Sequence, residues 1–166
     1  MELLVVVALI VVMTALAFLN WRSGEGVLAI ERAAAKISQD VRRATELALR
    51  AQQFSCASGT IAGYGLFFSN AAQTSYLLFA DCNNNQRYDA ALDSIVETIS
   101  IEKQAQISSV TSGSFGLVAV PPDPAIFLKD SAGSSITSAQ VTLSVVSGPS
   151  NTKVITINSK GVVTIQ

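Results

Sequence analysis

The chain has 166 residues, 11 basic and 12 acidic, for a formal charge of −1. That leaves room for one compact domain with one accessory element and no dense basic field of the kind a dedicated nucleic-acid binder carries. There is no histidine, which removes the commonest general base, metal ligand and pH switch and weighs against a hydrolytic enzyme.

The apolar residues are concentrated at the start. Leu3 to Leu19 is a run of seventeen positions in which Thr14 is the only polar one. As a helix it is roughly 25 to 30 Å long, enough to cross a bilayer core. A cleaved secretory signal is disfavoured, because the start is Met1-Glu2 rather than basic and Leu19-Asn20-Trp21 is no small-residue cleavage site. Trp21 and Arg22 stand where interfacial anchors belong. A single-pass anchor accounts for all of this except Glu2, a carboxylate at the lip of hydrocarbon that calls for a partner.

The stretch ELLVVVALIVVMTALA resembles the N-terminal helix of type IV pilins and type II secretion pseudopilins. The resemblance implies that Glu2 neutralises the N-terminal amine of a neighbouring subunit in a filament core. It also implies a single-pass chain in the cytoplasmic membrane with an exported head, in the periplasm or outside the cell. Its partners would be copies of itself, other pilins or pseudopilins, an inner-membrane assembly platform, and lipid before assembly. The family's basic leader ending in Gly is not seen before Glu2, so a few further residues are expected upstream of Met1.

Ser23-Gly24-Glu25-Gly26 follows, with two glycines each costing roughly 1 kcal/mol relative to alanine inside a helix, and a break is expected there. Val27, Ile30, Ala34, Ile37, Val41, Ala44, Ala48 and Ala51 then recur at spacings of three and four, the mark of one apolar stripe. The opposite face carries Glu31, Arg32, Lys36, Asp40, Arg42, Arg43, Glu46 and Arg50, read as solvated, with Arg42 and Glu46 pairing along the helix. Alanine at half the stripe positions suits close packing on a sheet better than a coiled-coil seam.

Beyond Phe54 the chain turns to β-rich runs: 64–68, 75–80, 94–101, 116–120, 125–129, 140–146, 153–158 and 162–165. One long helix followed by seven or eight strands predicts an α+β fold, the helix lying on an antiparallel sheet. The expected parts are a membrane or filament-core helix over 1–21, an amphipathic half over 22–54 and a β-rich head over 55–166. Ser159-Lys160-Gly161 fits a three-residue hairpin with glycine in the left-handed position. Pro121-Pro122-Asp123-Pro124 must end a strand or run along an edge. The order GYGLFF, YLLFADCNNNQRYDAALDSIVETI, VPPDPAIFL and TKVITINSKGVVTIQ resembles the heads of minor pilins and of pseudopilins related to type II secretion protein H, implying a pilin fold.

Two places invite chemistry. Asp81, Asn83, Asn85 and Asp89 occupy positions 1, 3, 5 and 9 of a calcium-loop alternation, with Asp93 one residue past position 12. Position 6 is Gln86 rather than glycine. Either these residues bind Ca2+, or they form side-chain-to-backbone turns joining YLLFA to SIVETI; no cofactor is otherwise required. Cys56 and Cys82 are the only cysteines. They are either a buried free pair or a disulfide, the latter stabilising by roughly 3 to 4 kcal/mol in an oxidising compartment.

The expected function is that of a non-catalytic filament subunit. A minor pilin serving DNA uptake or adhesion through its head is the rival, though the head offers only Arg87, Lys103, Lys129, Lys153 and Lys160 against seven acids. A simple membrane-anchored binding domain is the other.

Overall fold

The computed structural model describes residues 2–50, 54–56, 60–122, 125–146 and 151–166, with Glu2 and residues 16–23 described as helix backbone alone. The fold is α+β with antiparallel sheets. Helix α1 spans Glu2–Leu49, 48 residues. Nine strands follow among the described residues: β1 Gly63–Ser69, β2 Ser75–Asp81, β3 Ser94–Ser100, β4 Ala105–Val110, β5 Ser114–Val120, β6 Ala125–Asp130, β7 Ser138–Val145, β8 Thr152–Asn158 and β9 Val163–Ile165.

Five of the strands form one sheet in the order β3-β2-β1-β5-β6, and four form a second in the order β4-β7-β8-β9. Alternation decides which side chains enter the core. On β7 Ala139, Val141 and Leu143 are buried, and on β8 Ile155 and Ile157 face the same way. On β1 Leu66 and Phe68 point at the helix beside Leu78 of β2 and Leu117 of β5, and both sheets share one hydrophobic core with α1. The helix contacts β1 and β5 in one sheet and β4, β7 and β8 in the other.

The apolar stripe of α1 supplies the helix side of that core. Ile30, Ala34, Ile37, Val41, Ala44 and Ala48 are buried, joined by Ala29 and Ala33; Val27 is half-buried. The alanines let the helix lie close to the strands. Ala51 lies outside the described residues.

Several expectations need correction. The helix does not break at residues 23–26 but continues through them. A Cβ on Gly26 would stand 2.9 Å from Val145 Cγ1, so this glycine is where helix and sheet approach closely, and packing outweighs its weak propensity. Asp40 is not on a solvated face: it is buried and accepts a hydrogen bond from the Tyr76 hydroxyl. Glu46 pairs with Arg50 at 3.6 Å rather than with Arg42. Strand β4 was not expected, because AQISSV is weakly apolar and a register shift between Ile107 and Ser109 breaks its alternation.

Other expectations hold. The β2–β3 hairpin encloses the Asp/Asn loop. The β8–β9 hairpin turns through Gly161 at φ +75. Strand β5 ends at Val120 and the chain turns at Pro121-Pro122, whose peptide is cis; Asp123 and Pro124 lie outside the described residues.

Candidate functional site

Near its start α1 is bare. Every side chain from Leu3 to Ala15 is exposed, from Leu3 at 79% to Val7 at 50% among the large apolar ones. An exposed apolar surface of this extent marks an interaction site. Thr14, its one polar side chain, is satisfied internally, its hydroxyl donating to the Ile10 carbonyl at 2.7 Å, the arrangement that a hydroxyl needs in a waterless setting. Among the described residues no helix is long and apolar enough to cross a membrane; the described apolar side chains of this segment end at Ala15. The side chains of Glu2, Trp21 and Arg22 lie outside the described residues.

From residue 25 onward, charged side chains fasten the helix to the head on both flanks. On one flank Arg43 pairs with Glu97 at 2.7 Å, Lys36 Nζ donates to the Ser100 carbonyl at 3.4 Å, and Arg32 approaches Glu102 at 3.9 Å. On the other, Gln104 Nε2 donates to Glu25 at 3.2 Å and Lys153 lies 3.8 Å from Glu31. Each such exposed pair is worth little alone. They flank the buried stripe of α1, whose packing on both sheets seats the helix.

The Asp/Asn loop is built of side-chain-to-backbone turns. Asp81, fully buried, accepts the Asn83 N–H at 3.2 Å and the Gln86 N–H at 2.9 Å. Asn83 Oδ1 accepts from Asn85 N, and Asn85 Oδ1 from Arg87 N. Asp89 Oδ1 accepts from Ala91 N. Asp93 accepts from Cys82 N at 3.0 Å and Asp89 N at 2.7 Å. Burial raises the Asp93 carboxyl above its ordinary range and the Asp81 and Asp89 charges add to the rise, opposed by the two N–H donors. Asn84 and Gln86 adopt the left-handed region, which Asn tolerates and glycine would otherwise serve. Among the described residues no group of three or more acidic, cysteine or histidine side chains is arranged to hold a metal ion.

Sequence reasoning missed what this loop rests on. Tyr88 packs on Phe67 and Phe79, ring centroids 4.8 and 5.2 Å apart, on the sheet face opposite the helix. Lys129 Nζ ties the loop down by donating to the Asn85 carbonyl at 2.7 Å. A Cβ on Gly116 would stand 3.6 Å from the Tyr88 amide. That is an ordinary contact, so Gly116 gave no signal, and Phe67, Phe79 and Tyr88 lie on separate segments that no local pattern pairs.

Cys56 and Cys82 form a disulfide, with Cα atoms 5.8 Å apart. It binds the segment after α1 to the end of β2, beside Ala48, Tyr64, Ala80 and Ala119. Ser94 Oγ adds a bond to the Ser55 carbonyl at 3.0 Å.

Two small hollows border the helix. One, of about 200 Å³, is lined by Val27, Ile30 and Asn151 to Lys153; the other, of about 100 Å³, by Arg32, Lys36, Tyr76 and Glu102 among others. Both fall below the roughly 300 Å³ at which small-molecule pockets begin. No protein-family model matches the chain, and neither a curated protein nor a solved structure matches it.

Proposed function

We propose that the chain is a structural subunit of a type IV pilus-like or pseudopilus filament with a pilin fold, held in the cytoplasmic membrane by its N-terminal helix before it is drawn into the fibre. The observation that carries this reading is the helix segment Leu3–Ala15, apolar but for Thr14 and exposed throughout, at the far end of a helix whose residues 26–48 pack on the head. Such a surface is shielded by lipid before assembly and by sister helices afterwards. Transfer between these two apolar settings is nearly neutral in burial, so directional contacts must set the register.

Glu2 is assigned that part, pairing with the amine of a neighbouring subunit. A buried carboxylate left without a partner costs several kcal/mol, which rejects a subunit one position out of place. The role is assembly rather than catalysis, and the head, with five basic residues opposed by seven acids, favours it over DNA capture.

The test uses Glu2→Leu and Glu2→Ala in cells that make the filament. Both variants are expected to fractionate with the membrane as the native chain does and to be lost from sheared filaments. Normal incorporation of either would reduce the helix to a simple anchor.

A further inference from the structure

The helix holds one end of the head close to whatever surrounds its apolar start. Leu19 is the last position of the apolar run. Glu25 is the first helix side chain bonded to the head among the described residues, through Gln104 Nε2 at 3.2 Å. Helix α1 is continuous between them, so six residues at about 1.5 Å each put this contact roughly 9 Å beyond Leu19. The headgroup layer outside a bilayer's hydrocarbon core is roughly 5 to 8 Å deep on each side, and tilting the helix only lowers the head towards it. The end of the head therefore stands at the outer rim of the headgroups, within reach of a lysine's flexible stem.

Two segments form that end. One is the turn over 101–104 between β3 and β4, and the other is Val146, just past β7. Val146 N–H donates to the Gln104 carbonyl at 3.0 Å, and Val145 lies against Gly26 of the helix. The acids here are engaged, Glu25 by Gln104 and Glu102 by Arg32 at 3.9 Å. Lys103 is exposed and has no ion pair among the described residues, and Val146 is 52% exposed. A cation with an exposed apolar side chain on the adjoining strand end suits a phospholipid interface, where one meets phosphate and the other the layer beneath it. The opposite end of the head is remote from this level: Gly161 of the β8–β9 turn stands against Ile126, which packs beside Ala48 near the other end of α1.

We propose that this end of the head is a docking surface for phospholipid headgroups, Lys103 meeting lipid phosphate and Val146 entering the interface while the subunit is stored in the membrane. The inference rests on the filament reading and deepens its membrane stage. What selects lipid as the occupant is the short, unbroken length of helix between the apolar run and the head. A head seated on one side of the helix in this way biases the tilt of α1, and drawing the subunit into the fibre first lifts Lys103 off the phosphates.

The test uses the full chain, its native cysteines bridged to each other, in vesicles of phosphatidylethanolamine and phosphatidylglycerol. A fluorescent NBD label on Val146→Cys should lose most of its emission to lipids that carry a nitroxide on the headgroup, and the same label on Lys160→Cys, in the β8–β9 turn, should keep its emission. Adding Lys103→Glu to the Val146→Cys chain should restore much of the lost emission. Equal emission at the two sites in a chain inserted in the vesicles would overturn the proposal while leaving the membrane anchor in place; a chain that never enters the vesicles would remove both. Quenching that Lys103→Glu leaves unchanged would show nearness without docking and overturn the proposal as well. Should the label at 146 itself disturb the contact, Asn151→Cys, also exposed, reads the same end, and the same outcomes decide.

Discussion

The Tyr76 hydroxyl donates to Asp40 Oδ2 at 2.5 Å, joining the middle of α1 to β2 inside the core. Both residues are buried, so the carboxylate has exchanged water for this phenol. Burial, the bond to Asp40 and the negative charges of Asp40 and Glu97 all raise the Tyr76 pKa far above its ordinary value, with Arg43 opposing.

Tyr76→Phe should therefore cost about 1 to 3 kcal/mol in denaturant unfolding near neutral pH, because it orphans a buried acceptor. The pH profile has a definite sign. Above the ordinary phenol value of 10.0 the unfolded chain releases the Tyr76 proton and the folded chain keeps it. Stability then falls as pH rises. Comparing native and Tyr76→Phe unfolding at neutral and strongly alkaline pH should show a smaller alkaline loss in the variant. An equal loss in both would place the folded-state titration elsewhere.

The two glycines of α1 differ in surroundings, so alanine should separate them. Nothing lies within 4 Å of a Cβ on Gly24, and Gly24→Ala should stabilise by up to about 1 kcal/mol through helix propensity and a less disordered unfolded chain. At Gly26 the Val145 methyls stand 2.9 and 3.2 Å from the new carbon, and Val145 is short and branched, with little freedom to yield. Gly26→Ala should lose that gain and be the less stable of the two; thermal unfolding of both in the same detergent decides.

The contrast shows where the sequence was legible. The strands built on runs of strong β-formers stand close to where the sequence placed them, because alternation with turn residues on either side leaves one face to bury. The helix stripe was legible for the same reason. The break at Gly24 and Gly26 was not real, since local propensity of about 1 kcal/mol per glycine competes with packing that no window of sequence reveals. Asp40 looked like surface because its partner Tyr76 is 36 residues away. Arg43 and Glu97 are farther apart still in the chain, so a pairing read along the helix chose Arg42 and Glu46 instead. In the Asp/Asn loop the residue types were right for two chemistries, and only the direction of the backbone N–H groups shows that these oxygens are already engaged.

That engagement predicts the response to calcium. Asp81 holds two backbone N–H groups with both its oxygens while fully buried, so its contribution does not require a cation. Asp81→Ala should lower the melting temperature by the same amount in calcium as in chelator, and the native chain should melt at the same temperature in both. The loss should correspond to roughly 1 to 3 kcal/mol, two half-buried N–H donors losing their buried acceptor. A native melting temperature that rises with calcium would show these oxygens turning from the backbone to the ion.

The disulfide should matter more than any one of these bonds. It closes a loop between residues 26 apart, worth roughly 3 to 4 kcal/mol in the chain-entropy model. Within that loop lie the whole of β1 and the whole of β2. Among the described residues of the connection from α1 to β1, Ile61 packs beside Tyr64 and Ala119, Ala62 N–H bonds to the Asp81 carbonyl and Ser94 Oγ to Ser55. Cys56→Ser with Cys82→Ser should therefore lower unfolding free energy by about 3 kcal/mol. It should also open the stretch between Arg50 and Ala62 to proteolysis before the rest of the head unfolds. The strands should keep their protection, because their core forms with the helix stripe and does not include the bridge. Simultaneous cleavage across head and junction in the reduced chain would show that the bond instead holds the whole head together.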